Sequence, residues 1–112
     1  AYPDLKVVVA TNDSGGIGGY QALVNAGYTG SDPVAVFSGD ATDEALNDML
    51  QDDTIYRGTV DLAPYACGYE SAYQLVYYCI NGKPAETKTQ GFTPVMVPLA
   101  DLLDGTYAYD PK

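Results

Sequence analysis

The sequence predicts an α/β chain, an open parallel sheet with alternating helices, and three observations predict it. Short β-branched runs alternate with stretches of helical period along the 112 residues. Turn and capping residues fall between the two kinds of segment. Hydrophobic residues make up 46% of the chain, enough for the core of one domain.

The first strand is expected over residues 5–11, where Val7-Val-Val-Ala-Thr11 has the β-branched character of a strand buried on both faces. Asn12-Asp-Ser-Gly-Gly16 then supplies turn and N-cap residues. A helix follows with Ile17, Tyr20, Leu23 and Val24 on one side and Gly27 as its stop. Gly18 and Gly19 each weaken it by about 1 kcal/mol relative to alanine, which points to close packing or to a backbone that must approach something.

A second strand is expected over residues 34–37, ending at Ser38-Gly39-Asp40. Thr42 caps the next helix, with Asp43 and Glu44 in its first turn, where the helix dipole favours negative charge. Ala45, Leu46, Met49 and Leu50 form its apolar stripe. A third strand runs near residues 55–62, and Pro64 opens a helix over residues 65–80 that stops at Asn81-Gly82. That helix is apolar almost all round, so it calls for cover on more than one side. The last strand spans residues 93–97 and a loosely patterned tail follows.

Charge excludes several function classes. Five basic residues against fifteen acidic give a formal net charge of −10, and the cations Lys6, Arg57, Lys83, Lys88 and Lys112 are scattered. No basic stripe exists to neutralise phosphates, so nucleic acid is not an expected partner. The chain has no histidine, which removes the commonest general base and metal ligand. Six acids between Asp40 and Asp53 lack the alternating ligands and central glycine of a calcium loop and read as a solvated helix face. No metal or cofactor is expected.

Cys67 and Cys79 lie twelve residues apart in one expected helix. That separates them by about 18 Å, too far for a disulfide, and they read as buried free thiols. No run of 18 apolar residues appears, and the chain opens on Ala1-Tyr-Pro-Asp4 without a leader pattern, as a mature protein or an excised piece would.

Enzyme motifs fail one by one. The glycines at 15, 16, 18 and 19 miss the dinucleotide fingerprint because Gln21 stands where a glycine is required. There is no phosphate-loop Gly-Lys-Ser/Thr and no nucleophile elbow, and a serine triad has no histidine to complete it. Ligands of open parallel sheets bind beyond the carboxyl ends of the strands, which singles out Asn12-Asp13 and Gly39-Asp40. An amide that donates and accepts, beside a carboxylate that accepts, suits the hydroxyls of a sugar. The alternatives remain an N-terminal turn residue for Asn12, a loop residue for Asp40, and a paired-carboxylate glycosidase site for Asp13 and Asp40.

Val7-Val-Val-Ala-Thr-Asn-Asp13, Val34-Ala-Val-Phe-Ser-Gly-Asp40, Asp43-Glu-Ala-Leu46, Gly58-Thr-Val60, Pro64-Tyr-Ala-Cys-Gly68, Asn81-Gly-Lys-Pro84 and Thr93-Pro-Val-Met-Val-Pro98 stand in a telling order. Together they resemble the C-terminal portion of the type I periplasmic sugar-binding proteins, such as the ribose- and galactose-binding proteins. The resemblance implies a two-lobed receptor that delivers a monosaccharide or similar small polar solute to an ABC transporter permease. It also implies an extracytoplasmic location, periplasmic or lipoprotein-anchored, and no enzymatic activity.

By position, Asn12 and Asp40 resemble the sugar-hydroxyl ligands, with Asp13 as a further possible ligand. The family's third polar ligand falls on Leu62 here, which implies a less polar or deoxy solute; strand alternation turns the adjacent Asp61 the other way. The resemblance further implies that residues 1–61 end the C-terminal lobe, that residues 62–91 belong to the opposite lobe, and that residues 92–112 form a return strand and tail. The lobe is then incomplete, and the chain is expected to dimerise or swap elements to cover its apolar helix. The effector domain of a lactose-repressor-type regulator and a sensory ligand-binding module are the competing readings.

Overall fold

The computed structural model describes residues 2, 4–85 and 93–107. Eight elements follow in order: β1 (Val7–Val9), α1 (Asp13–Asn25), β2 (Ala35–Phe37), α2 (Asp43–Met49), β3 (Tyr56–Asp61), α3 (Pro64–Asn81), β4 (Val95–Pro98) and α4 (Leu99–Leu103). The strands form one sheet in the order β1-β2-β3-β4.

Pairing is parallel from β1 to β2 and from β2 to β3. The fourth strand departs from the expected all-parallel sheet: β4 runs antiparallel to β3, with Gly58 opposite Pro98 and Asp61 opposite Val95. The reason is the path of the chain, which leaves the carboxyl end of β3 through α3 and re-enters the sheet from that same end.

Helices α1 and α2 pack on the sheet and on each other. Their contact encloses Ile17, Val36, Ala45, Leu46, Met49, Ile55, Tyr56 and Val97, with Tyr20, Leu23, Leu99, Leu102 and Tyr107 packed around them. Burial of this kind stabilises by about 1.5–3 kcal/mol for each large apolar side chain. Leu50, expected in the buried stripe, caps the end of α2 instead and is 48% exposed.

The close approach on α1 is at Gly16, not at Gly18 or Gly19. A β-carbon on Gly16 would stand 2.6 Å from the Tyr56 hydroxyl oxygen and 2.7 Å from Ser38 Cβ, whereas Gly18 faces open space. The helix also begins at Asp13, one residue after its Asn12 cap, so the glycines read as a turn lie inside its first turn.

Strand β1 is not buried on both faces. Val8 is half-buried while Val7 and Val9 are exposed, because α1 covers only one side of the sheet edge. Helix α3 goes further, and none of its 18 residues is buried. No other described element packs substantially against it. The Cα radius of gyration is 18.0 Å with extents of 59 × 32 × 18 Å, against about 13 Å for a compact domain of this size.

Local rules alone account for the limits of α3. Pro64 stands at its start, where a missing N–H costs nothing, and Gly82 ends it in the left-handed conformation at φ 69°. Both cysteines on it are free, and Cys79 is exposed rather than buried because this helix lacks cover.

Candidate functional site

The carboxyl ends of β1, β2 and β3 lie on one rim because the three strands are parallel. The loops leaving them are neighbours. Ala10 N donates to Phe37 O at 2.9 Å, and Asp40 N donates to Val60 O at 2.8 Å. A β-carbon on Gly39 would lie 3.5 Å from Thr11 O. The rim therefore brings Asn12, Asp40 and the exit of β3 together.

Asn12 is exposed at the N-cap of α1, where its Oδ1 accepts from Gly15 N at 2.9 Å. That bond satisfies one of the helix's orphan amides and holds the side chain in place. The amide group makes no hydrogen bond to another described residue, so Asn12 offers two donors outward. Capping and solute contact are thus compatible roles for one side chain.

Asp40 is half-buried and its carboxylate accepts no hydrogen bond from another described residue. Its backbone adopts φ 124° and that of Ala41 φ 54°. Positive φ in a residue with a β-carbon costs of order 1–3 kcal/mol and persists where the surroundings over-determine it. Here Asp40 N is tied to Val60, Ala41 N donates to Thr59 Oγ1 at 3.2 Å, and Ala41 is 2% exposed.

Asp13, a possible ligand by sequence, lies inside the fold and is bonded to its neighbours. It is 1% exposed. Its Oδ1 accepts from Ser38 Oγ and, at 2.7 Å, from Thr59 Oγ1. Its Oδ2 accepts from Thr42 N at 2.6 Å and from Thr42 Oγ1 at 2.8 Å. Four donors fill the acceptor sites of one carboxylate, so no lone pair remains for a solute hydroxyl.

The network extends to Tyr56, whose hydroxyl lies 2.5 Å from Ser38 Oγ. Burial pushes the Tyr56 phenol up to about 12, the Ser38 hydrogen bond opposes that, and the Asp13 carboxylate adds to it by repelling a phenolate. The phenol is therefore neutral at physiological pH. Ser38, Thr59 and Tyr56 were not singled out in the sequence, and Thr42 only as the cap of α2. A strand-interior threonine and a serine at a strand end carry no signal until the fold places a carboxylate between them.

At the third rim position Leu62 is 43% exposed, and Ala63 takes the left-handed conformation at φ 50°. Asp61 is committed elsewhere, as alternation suggested. Its Oδ1 accepts from Ala63 N at 2.7 Å and its Oδ2 accepts from Tyr107 Oη at 2.9 Å. A depression of about 320 Å³ lies at the opposite end of the sheet, lined in part by Gly30, Asp53, Arg57, Leu99 and Leu103, and includes none of the rim residues.

A profile of the periplasmic binding protein domain matches residues 1–84. The chain belongs to that family. Among solved structures, this binding-protein chain is similar to a 5-methylthioribose transporter solute-binding protein from Thermotoga lettingae, solved in complex with 5-methylthioribose. The TM-score is 0.76 at 27% identity, and the match covers 94% of this chain. It covers 32% of that protein, so the chain spans about a third of its relative's length. No curated protein sequence matches. Among the described residues, no helix of this binding-protein chain is long and apolar enough to cross a membrane.

Proposed function

We propose that the chain is the C-terminal portion of a solute receptor for an ABC importer, working outside the cytoplasm without turnover. Its solute is a small sugar held between two lobes. The observation that carries this reading is Asp40, a carboxylate with no hydrogen-bond partner among the described residues, held in strained backbone on the same rim as the amide of Asn12. Such a pair can accept from one sugar hydroxyl and donate to another.

Leu62 supports a narrower reading. An exposed leucine beside this polar pair suits a sugar in which an apolar substituent replaces a hydroxyl. The Thermotoga lettingae relative was solved with such a sugar.

The division into lobes belongs to the same proposal. Residues 1–61 close one lobe, α3 packs in the other, and β4 returns. Of the segment 62–91, residues 86–91 lie outside the described residues, as do 92 and 108–112 of the tail. The isolated chain pairs or exchanges elements with a second copy through α3, and light scattering that shows a monomer at all concentrations would refute this.

Calorimetric titration of the parent protein tests the function, using ribose, galactose and 5-methylthioribose. Asn12→Ala and Asp40→Ala are each expected to weaken binding by about 1.5–3 kcal/mol, the scale of a charge-assisted hydrogen bond. Leu62→Asn is expected to shift preference from 5-methylthioribose towards ribose. Absence of binding to all three sugars would overturn the reading.

A further inference from the structure

We propose that Asp13 is a positioning residue: it touches no solute, but sets the conformation of the Asp40 loop through Thr42, Ser38 and Thr59. The inference rests on reading Asn12 and Asp40 as the solute contacts.

The loop from Ser38 to Thr42 is the most constrained turn of the rim. It contains two consecutive residues of positive φ, neither of them glycine. Asp13 grips both ends of it. Oδ1 holds the Ser38 hydroxyl where the loop leaves β2, and Oδ2 holds the Thr42 amide and hydroxyl where it enters α2. Thr59, itself bonded to Oδ1, receives the Ala41 amide from the middle of the turn. One carboxylate thus reaches every segment that fixes Asp40, and it is the residue next to Asn12.

Its backbone neighbour caps α1, so the same short stretch sets both polar groups of the rim. Charge matters as well as shape. Hydrogen bonds to an ionised carboxylate are about twice as strong as neutral ones, and an asparagine at this position keeps the volume but turns one acceptor into a donor facing Thr42 or Ser38.

A double-mutant cycle on the full-length parent tests the proposal. Asp13→Asn is expected to weaken sugar binding about tenfold or more. In an Asp40→Ala background it is expected to change affinity by less than about twofold, because its effect runs through Asp40. Thr42→Val, at an exposed position, removes the hydroxyl bond to Asp13 together with the α2 cap and is expected to reproduce part of the loss, and Thr42→Ser to recover it. Losses that add independently in the double variant would overturn the proposal.

A second arm needs no solute. In the free protein, the Ala41 and Thr42 amides are expected to exchange with solvent at least about tenfold faster in Asp13→Asn, with the amides of β2 and β3 unchanged. Unchanged exchange at Thr42 overturns the proposal whatever the sugar does. Faster exchange in a protein that binds no sugar leaves the brace standing and removes the sugar reading alone.

Discussion

Met49 on α2 is fully enclosed, whereas Leu75 on α3, no less apolar, leaves 65% of its surface in water. Both helices are properly started and stopped, α2 by Thr42 and Leu50, α3 by Pro64 and Gly82. What separates them is cover. Helix α2 lies on a sheet and against α1, while α3 keeps itself together with contacts along its own length. These include Gln74 Nε2 donating to Glu70 Oε1 at 2.7 Å and the Tyr73–Tyr77 ring pair with centroids 6.0 Å apart. Such pairs are worth a few tenths of a kcal/mol each, and a lone helix of this length is marginal in water. The difference teaches that helix formation and helix burial are separable demands, and that this chain meets the second in only one of its two halves.

Cavity-forming substitutions sharpen that contrast most. In the isolated chain, Met49→Ala is expected to cost about 2–5 kcal/mol in chemical denaturation. Ile80→Ala, at a position 76% exposed, is expected to stay within about 0.5 kcal/mol at concentrations where the chain is monomeric. In the full-length parent the Ile80 variant is expected to approach the core value; equal costs in the isolated chain would erase the distinction.

The glycines of α1 offer a smaller test within a single helix. Gly16→Ala is expected to destabilise by about 1–3 kcal/mol, since its β-carbon meets Tyr56 and Ser38. Gly18→Ala, facing open space, is expected to stabilise by about 1 kcal/mol. Alkali tests the same neighbourhood. The folded-state pKa of Tyr56 is raised to about 12 from an unfolded value near 10, so its contribution is complete below about pH 10 and is lost as pH rises through about 12. A pH series of thermal melts is expected to show that loss, and Tyr56→Phe to flatten it.

Much of this architecture was legible in the residues. The β-branched run at Val7–Val9, the apolar run at Ala35–Phe37 and the Asn81-Gly82 stop carry their own local physics, and the all-round apolar pattern of α3 announced its need for cover. The missed features depend on distant partners. Asp13 follows a cap residue, where a carboxylate can face water or the interior. Its direction is decided by Ser38, Thr42 and Thr59, which lie 25, 29 and 46 residues further on. The antiparallel sense of β4 depends on a crossing that no local pattern encodes. Helix α4 is too short for a periodic signal, though Leu99 and Leu102 already stand three apart. At the rim, Asn12 and Asp40 were legible as polar residues at strand ends. The strain at Asp40 was not, because the positive φ falls on Asp40 and Ala41 rather than on Gly39, the glycine of that turn.

The antiparallel pairing of β3 and β4 has a mechanical consequence. The chain leaves the sheet by β3 and returns by β4 at the same end, so any load on α3 pulls the two strands in one direction along their axes. Their mutual bonds then slide together and bear little of it. The load passes to the β2–β3 pairing, extended beyond Phe37 and Gly58 by the Ser38–Gly58 and Asp40–Val60 bonds, where several bonds resist shear at once. The root of α3 is therefore anchored against extension by the strand on the far side of β3 from β4.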